Sequence, residues 1–367
     1  MIGSRLDVGI LGSTGSVGQS FVAALADHPW FRVTWVAAGE RWVGRRYGDV
    51  ASWRMSSPPP PAVADLELQR SEPEGAPRLV FSGLDAAEAG DVEAGFAEAG
   101  RVLFSNARSH RLDDDVPLLV PEVNPEHLAL LDRQATVRRG LGRIVCSANG
   151  PTVVLAMVLA PLRRFGLRSV TVSTLQAISA AGYPGVPALD IVGNVVPFIP
   201  GEEERVEHET RRVLGLLKKG TVEPHPVRVS AQTTRVPVVH GHTALVSVGF
   251  ESQPSLDDVR AAFTGFSGRP QAERLPSAPR RPLIYLDEPN RPQPRLDLDL
   301  DRGMSVLIGN LRRCSVLDCK FVALGNEVVR GAAGGALLNA ELMSVDGLVD
   351  AGRPKRRPSR RGSAKSR

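Results

Sequence analysis

Cysteine is scarce in this chain. The 367 residues include three cysteines, Cys146, Cys314 and Cys319. An odd and irregularly spaced set of this size is too small for a disulfide framework or a zinc site, and we expect no metal centre. Cys314 and Cys319 are five residues apart, which predicts that they lie on opposite faces of one strand, with structural roles.

Long apolar runs and internal repeats are also absent. No run approaches the roughly 20 residues that a membrane-spanning helix needs. The sequence enters a predicted core strand within a few residues of Met1, which leaves no room for a signal peptide, so we expect a cytoplasmic protein. The length and the 42% hydrophobic content suit a chain of two domains, each with its own core.

The formal charge of +5 comes from one segment. Residues 353–367 contain eight lysines and arginines and no acid, so the rest of the chain has a net charge of −3. Residues 351–367 cannot bury apolar surface, and we expect a disordered basic tail. A solvated extension is the simplest interpretation, with weak contacts to nucleic acid as the alternative, and we expect no membrane partner.

The first part of the chain predicts an α/β fold. Asp7–Leu11 and Arg32–Ala38 are strand candidates, and Gly18–Asp27 between them has helical spacing. This order begins a parallel sheet with helices on both faces. Further strands are predicted at Leu79–Ser82, Val102–Ser105 and Arg143–Ser147, with helices at Ala86–Ala99 and Thr152–Phe165.

The pattern changes after Leu167. Longer alternating runs predict a mixed or antiparallel sheet, at Ser169–Ala177, Val227–Arg235, Thr243–Phe250 and Met304–Arg312. We therefore expect a first domain over residues 1–150, completed by a helix over residues 331–350, and a second domain over residues 151–330.

A glycine-rich loop follows the first strand and opens a helix. Its spacing lets backbone N–H groups approach a pyrophosphate at the positive end of the helix dipole. A tight turn without a ligand is the alternative. The candidate cofactor contacts in this loop are Gly12, Ser13, Thr14, Gly15, Ser16, Val17 and Gly18.

Two adjacent residues after the second strand bear on the choice of cofactor. Glu40 would accept the ribose 2′-OH of NAD, whereas Arg41 would pair with the 2′-phosphate of NADP. Composition alone leaves both cofactors open.

The second domain contains an arginine seven residues before a histidine. Arg235 can hold a carboxylate by two parallel hydrogen bonds, and His242 can move protons near neutral pH. Either residue alone is more often structural. Glu202–Arg205 opens a helix, where acids also suit the helix dipole.

Taken together, these motifs resemble the aspartate-semialdehyde dehydrogenase family, closest to its archaeal and fungal branch. The resemblance runs from about Val8 to Val349. It rests on motifs that include G-S-T-G-S-V-G-Q, S-N-A-R-S-H-R, Q-A-I-S-A-A-G-Y-P-G-V-P, G-E-E-E-R-V-E-H-E-T, T-R-V-P-V-V-H-G-H-T and R-G-A-A-G-G-A-L-L-N-A-E-L.

The resemblance implies reduction of β-aspartyl phosphate to aspartate semialdehyde by NADPH, with release of phosphate, in the biosynthesis of lysine, threonine and methionine. In the family a cysteine attacks the acyl phosphate, hydride reduces the thioester and a histidine handles protons. The implied fold is a Rossmann-like first domain with an α+β second domain that carries the active site and the subunit interface. The implied assembly is a homodimer or homotetramer.

Residue roles follow by position. The resemblance implies that His242 is the acid–base residue and that Gln176 lies beside the reacting centre. It also implies that Arg235 binds the substrate carboxylate and Glu202 the substrate amino group. Phosphate is bound by Arg111 and Arg205 on the same resemblance. Arg205 replaces the usual lysine. Cofactor contacts are implied for Gly12–Gly18, Arg41, Ser82 and Asn339.

The nucleophile loop departs from the family. The usual N-P-N-C-S-T corresponds here to S-A-N-G-P-T, so Gly150 follows Asn149 at the cysteine position. A helix N-terminus lowers the pKa of a thiol, but glycine cannot form a thioester. Cys146 lies four residues upstream, on the order of 13 Å along an extended chain, and is predicted to be buried and inert.

The cofactor loop departs as well. The family's S-E-R-S is Gly39–Trp42 here, which loses two hydroxyls but keeps Arg41, so NADP is the implied cofactor and NAD the alternative. Ala180 replaces a glycine of the usual motif, and its methyl group is predicted to crowd the substrate site.

Three interpretations follow. The protein is a working aspartate-semialdehyde dehydrogenase, a divergent NAD(P)-dependent reductase of an aldehyde or imine without a covalent intermediate, or an inactive paralogue that binds ligand or partners with an active homologue. We predict that the phosphorylating activity is impaired, because Gly150 removes the covalent nucleophile.

Overall fold

The first half of the chain forms a parallel sheet. The computed structural model describes residues 5–349. Its first sheet has seven strands in the order β3-β2-β1-β4-β5-β7-β6, all paired in parallel. The strands are β1 (Leu6–Leu11), β2 (Phe31–Ala37), β3 (Leu68–Gln69), β4 (Leu79–Ser82), β5 (Val102–Ser105), β6 (Leu118–Leu119) and β7 (Arg143–Ser147).

The second sheet is mixed. Its six strands lie in the order β11-β8-β12-β15-β14-β13, with parallel pairing at the two ends and antiparallel pairing between them. They are β8 (Leu167–Gln176), β11 (Arg228–Arg235), β12 (His242–Phe250), β13 (Leu283–Leu286), β14 (Val306–Arg313) and β15 (Cys319–Gly325), with β9 (Leu216–Lys218) and β10 (Thr221–Glu223) in a separate hairpin. The predicted α/β first sheet and mixed second sheet are confirmed.

Six α-helices are longer than two turns in the described chain. They are α1 (Ser16–Leu25), α2 (Ala86–Glu98), α3 (Gly150–Leu159), α4 (Glu202–Val213), α5 (Leu256–Thr264) and α6 (Gly334–Val345). Shorter α-helical turns cover Tyr47–Val50, Pro61–Ala64, Ala135–Arg138, Ala188–Ile191, Arg269–Ala272 and Pro294–Asp297, and 3-10 turns cover Glu40–Trp42, Pro125–Arg133, Ala160–Phe165, Ile178–Ala181 and Leu300–Gly303.

Helix α3 joins the two sheets. It begins at Gly150 and carries Pro151 in its first turn, where the missing N–H costs nothing because that group has no partner inside the helix. Its side chains from Pro151 to Leu159 are all buried. An apolar surface on every side explains why the helix lies in the main hydrophobic core between the sheets.

The C-terminal helix returns to the first sheet. A π-helical turn, Val329–Ala333, leads into α6. Glu341 of α6 is fully buried and accepts a hydrogen bond from Nε2 of His28 at 2.7 Å. Asp350 and the predicted basic tail over residues 351–367 lie outside the described residues, and the domain boundaries themselves stay predictions.

Two local predictions are wrong. Cys314 and Cys319 do not share a strand, because the chain turns between β14 and β15 and Cys314 lies in that turn. The proline- and arginine-rich segment Arg269–Pro294, for which the sequence predicts no strand, contributes the edge strand β13. Proline has no backbone N–H to donate to a neighbouring strand. A proline-rich segment is therefore better tolerated at the edge of a sheet, where one side of the strand needs no partner.

No helix within residues 5–349 is long and apolar enough to cross a membrane.

Candidate active site

A cavity of about 300 Å³ lies where the two sheets meet. Four predicted substrate-binding residues line it, as do the predicted reaction-centre residues His242 and Gln176, Asn149 of the nucleophile loop and Ala180. They are Arg111, Asn149, Gln176, Ala180, Glu202, Arg205, Arg235 and His242. The fold therefore brings together side chains that are far apart in the sequence.

Glu202 is the centre of the polar network. Its Oε1 accepts hydrogen bonds from Nδ2 of Asn149 at 2.8 Å and from Nε2 of Gln176 at 3.2 Å. Its Oε2 accepts from Nε of Arg205 at 2.9 Å. Burial opposes ionisation of this carboxyl, but the three donors outweigh burial and lower its pKa. Glu202 is therefore a fixed negative charge at the first turn of α4, able to attract an ammonium group.

Arg235 ends β11 and is buried at the cavity wall. Its Nη1 donates to the carbonyl oxygen of Ala177 at 2.8 Å, which fixes the direction of the guanidinium. No other hydrogen bond to a described residue uses its remaining donors. A guanidinium held in this way can take a carboxylate by two parallel hydrogen bonds.

His242 is the first residue of β12, and its side chain is buried. The N–H of Ala177 donates to its Nδ1 at 3.4 Å. Burial lowers the pKa of His242, while the negative charges of Glu327 and Glu202 oppose that effect. The ring is therefore mainly neutral near pH 7, while the charges of the two carboxylates favour its protonated form.

Gly150 faces this histidine. A Cβ atom built on Gly150 would lie 3.5 Å from Cδ2 and 3.6 Å from Nε2 of His242. Both are ordinary van der Waals distances, and the φ angle of Gly150 is not positive. The side-chain direction of position 150 thus points at the acid–base candidate, and a Cβ atom fits there, yet the residue carries none.

The basic side of the cavity holds Arg111. Its Nη1 donates to Oε1 of Glu209 at 3.1 Å and its Nη2 to the carbonyl of Asn106 at 2.8 Å. The second oxygen of Glu209 accepts the backbone N–H of Asn149 at 2.7 Å. Glu209 thus fixes both Arg111 and the residue before Gly150, while the exposed Arg108 also lines the cavity.

The three cysteines lie away from this arrangement. Cys146 is fully buried in β7, and burial raises the pKa of its thiol. Burial also raises the pKa of Cys319 to about 12. Cys319 pairs with Val248, six residues along β12 from His242, which is roughly 20 Å in a strand. Cys314 lies in the turn beyond that end.

The glycine loop has the geometry of a nucleotide-binding loop. Gly12 has a φ of +66°, and a Cβ on Gly18 would lie 2.2 Å from the carbonyl oxygen of Gly12. Only glycine permits this turn and this approach of α1 to β1. Nε2 of Gln19 donates to the carbonyl oxygen of Thr14 at 2.9 Å. The hydroxyl of Tyr47 donates to the carbonyl oxygen of Ser13 at 3.1 Å.

The other predicted cofactor residues are spread along the same edge. The hydroxyl and the backbone N–H of Ser13 both donate to the carbonyl oxygen of Ala37 at 2.9 Å, and its own carbonyl accepts from the Tyr47 hydroxyl, so Ser13 fixes the shape of the loop. Ser82 is buried at the end of β4. Asn339 donates to the Ser147 hydroxyl at 3.3 Å, and its buried Oδ1 has no hydrogen-bond partner in the described part of the chain. These features fit a dinucleotide whose carboxamide would supply the missing donor.

The loop after β2 is exposed. Glu40 pairs with Nη1 of Arg70 at 2.7 Å, and the guanidinium of Arg41 stacks on the ring of Trp42 at 4.9 Å. A carboxylate already paired with arginine is a weaker acceptor for a ribose hydroxyl, whereas the stacked Arg41 keeps its donors.

Glu327 is a site residue that sequence reasoning missed. Glu327 follows β15, and its side chain is 5% exposed. A Cβ atom built on Gly150 would lie 3.6 Å from the Cβ of Glu327. The signal was a lone acid between the apolar runs F-V-A-L-G and V-V. Within residues 5–349, no group of histidine, cysteine and acidic side chains could hold a metal ion.

Comparisons with known proteins agree with this architecture. Family models described as semialdehyde dehydrogenase, NAD binding domain, and semialdehyde dehydrogenase, dimerisation domain, match residues 7–131 and 159–330. Aspartate-semialdehyde dehydrogenase of Archaeoglobus fulgidus is 45% identical over 94% of this chain and 100% of its own. The enzyme of Methanothermobacter thermautotrophicus is 45% identical over 92% and 99%.

A solved structure extends the likeness to three dimensions. Aspartate-semialdehyde dehydrogenase with NADP from Candida albicans superposes with a TM-score of 0.86 at 40% identity, covering 92% of this chain and 98% of that one. Two matched domains of these kinds define the class, an NAD(P)-dependent oxidoreductase. Within that class the chain belongs to the aspartate-semialdehyde dehydrogenase family, on its archaeal and fungal branch.

Proposed function

We propose that the protein binds aspartate semialdehyde or a close analogue together with NADP, and that its phosphorylating reaction is impaired. The observation that carries the proposal is the position of Gly150, whose side-chain direction points at His242 within 3.6 Å. On this proposal the site keeps the binding and acid–base groups of acyl transfer and lacks the thiol.

The retained side chains support binding of an amino-acid aldehyde. Arg235 would hold the α-carboxylate and Glu202 the ammonium group, since each offers a fixed charge of the complementary sign. Arg111 and Arg205 would receive phosphate. Nε of Arg205 donates to Glu202 at 2.9 Å, so its guanidinium would approach an anion from a fixed direction. The ammonium group of the family's usual lysine would be more mobile.

The missing thiol supports impairment. Acyl transfer in the family needs a thiolate that attacks the carbonyl carbon, and no cysteine of residues 5–349 lies in the cavity lining. Loss of a covalent nucleophile costs several orders of magnitude in rate.

The test restores the thiol. The unmodified protein, Gly150→Cys and Gly150→Ala are each given aspartate semialdehyde, phosphate and either NADP or NAD. The reaction rate is followed by the absorbance of the reduced cofactor. We expect phosphate-dependent turnover at least about 100-fold higher in the cysteine variant than in the other two. The alanine variant separates the effect of the thiol from that of an added Cβ. Turnover by the unmodified protein equal to that of Gly150→Cys would contradict the proposal.

Direct reduction of a carbonyl is a second candidate, favoured by the retained His242. The bound cofactor would supply hydride to the aldehyde carbon while His242 delivers a proton to the oxygen, giving an alcohol and the oxidised cofactor without a thioester. Oxidation of NADPH by aspartate semialdehyde without phosphate tests this candidate. Loss of that rate in His242→Gln supports it, while binding without turnover favours the inactive paralogue.

We propose a homodimer or homotetramer as the assembly. The match to a dimerisation domain supports this state, as do exposed apolar side chains of the 183–198 segment, among them Leu189 and Val192. Analytical ultracentrifugation at micromolar concentration tests it, and a monomer would contradict it.

A further inference from the structure

One buried carboxylate beside the site takes no part in the functions proposed above. Oε2 of Glu327 accepts the backbone N–H of Gly241 at 2.6 Å. Its Oε1 accepts a hydrogen bond from the Ser179 hydroxyl and is 3.2 Å from Nδ1 of His240. A single side chain thus joins the end of β15, the Ile178–Ala181 turn and the entry to β12.

These contacts reach the residue immediately before His242. Gly241 immediately precedes His242 and has a φ of +104°, a conformation that only glycine adopts readily. Such a backbone has little intrinsic preference for one direction, so the hydrogen bond to Glu327 holds it. Ser179 precedes Ala180, which also lines the cavity. Removing the carboxylate would release both loops at once.

The charge of Glu327 is as well placed as its hydrogen bonds. Burial opposes its ionisation, but hydrogen bonds with His240 and Ser179 and the positive charge of His242 when protonated outweigh burial and lower its pKa to about 2. The group is therefore an anion throughout the neutral range. It lies beside His242, whose other charged neighbours are Glu202 and Arg235.

We propose that Glu327 is the positioning residue for His242. It fixes the imidazole towards position 150 and supplies the negative charge that lets the buried ring accept a proton. This role rests on the acid–base assignment of His242 in the proposed function, but it concerns the free protein and needs neither turnover nor a bound cofactor. His240, half-exposed and facing Glu327 and Asp299, is a second proton site coupled to the same carboxylate.

The experiment is a histidine titration of the full chain by NMR. The His242 and His240 resonances are assigned from His242→Gln and His240→Gln, and the protein is titrated as wild type and as Glu327→Gln. We expect the His242 midpoint to move to lower pH by about one unit in the glutamine variant, and the His240 midpoint to move in the same direction. Glu341→Gln is the matched control, because Glu341 is also a buried carboxylate bonded to a histidine, His28.

Two results would overturn the proposal: an unchanged His242 midpoint in folded Glu327→Gln, or an equal shift in Glu341→Gln. If the glutamine variant does not fold, Glu327→Asp keeps the charge but withdraws it by one methylene. A shift of the His242 midpoint to lower pH by less than about one unit in Glu327→Asp then supports the proposal. An unchanged His242 midpoint in that variant overturns it. Because the midpoints are read without substrate, a failure of the proposed reaction leaves this outcome unaffected.

Discussion

Three buried charged side chains of the cavity, Glu202, Arg111 and Arg235, are held by hydrogen bonds to other segments of the chain. Glu202 is fixed by Asn149, Gln176 and Arg205, and Arg111 is fixed by Glu209. Buried charges without partners are costly, so these bonds keep the charges in one arrangement before a ligand arrives. Single substitutions should therefore affect binding through geometry as well as charge.

The first prediction concerns Arg235. We expect Arg235→Lys to raise KM for aspartate semialdehyde at least about 10-fold in any assay where the protein or Gly150→Cys turns over, because an ammonium replaces two parallel hydrogen bonds by one. Arg228→Lys is the control, at the exposed start of the same strand. Equal KM values in both variants would show that Arg235 does not bind the substrate.

The second prediction concerns cofactor choice. Arg41 stacks on Trp42 with its donors free to reach a 2′-phosphate, so Arg41→Ala should raise Kd for NADP about 10-fold and leave Kd for NAD nearly unchanged. Calorimetric titration of the whole protein measures both constants. Arg32→Ala serves as the control at the far end of β2. A parallel loss of affinity for both cofactors would contradict a role at the 2′-position.

Among the elements, β1 and α1 approach each other closely at Gly12 and Gly18. The β-α-β unit was predictable because apolar periodicity and glycine spacing are local properties of the sequence. Strand β13 was not, because its proline-rich surroundings conceal a short edge strand. Glu327 could not be given a role from sequence, since Ser179 and Gly241 reach it only through the fold.

The third prediction tests the packing of α1. Gly18→Ala should destabilise the protein by about 1–3 kcal/mol, because its Cβ would overlap the carbonyl of Gly12. It should also abolish the rise in Tm on adding NADP. Gly95→Ala is the matched control. Gly95 lies in the interior of α2 with nothing within 4 Å of the added atom, so its replacement should stabilise by about 0.5–1 kcal/mol. A normal NADP response in Gly18→Ala would refute this account of the loop.

For the whole molecule, buried histidines link stability to pH. Burial lowers the pKa of His127, His225 and His242 in the folded state. The unfolded chain therefore binds more protons just below pH 6.5, and the contribution of these residues to stability falls as the pH drops through that range. His240 acts in the opposite direction, because its hydrogen bond with Glu327 raises its pKa.

The fourth prediction isolates His127. Its ring is buried between Asn124 and the carbonyl of Gly215, 2.9 and 3.2 Å away. We expect the free energy of unfolding to fall between pH 7 and pH 5.5 more steeply in the wild type than in His127→Gln, by up to about 1.4 kcal/mol for each unit by which the pKa is lowered. Urea unfolding at several pH values measures the slopes. Parallel slopes would mean that His127 does not carry this dependence.

The uncrowded surroundings of Gly150 have an evolutionary consequence. An added Cβ meets its neighbours only at ordinary contact distances, so the backbone around position 150 accepts a side chain without changes elsewhere. A glycine codon that ends in a pyrimidine becomes a cysteine codon by one base change. Under genetic selection for acyl transfer, the gene should therefore regain it by mutation at this codon alone, with no accompanying substitutions in the surrounding side chains.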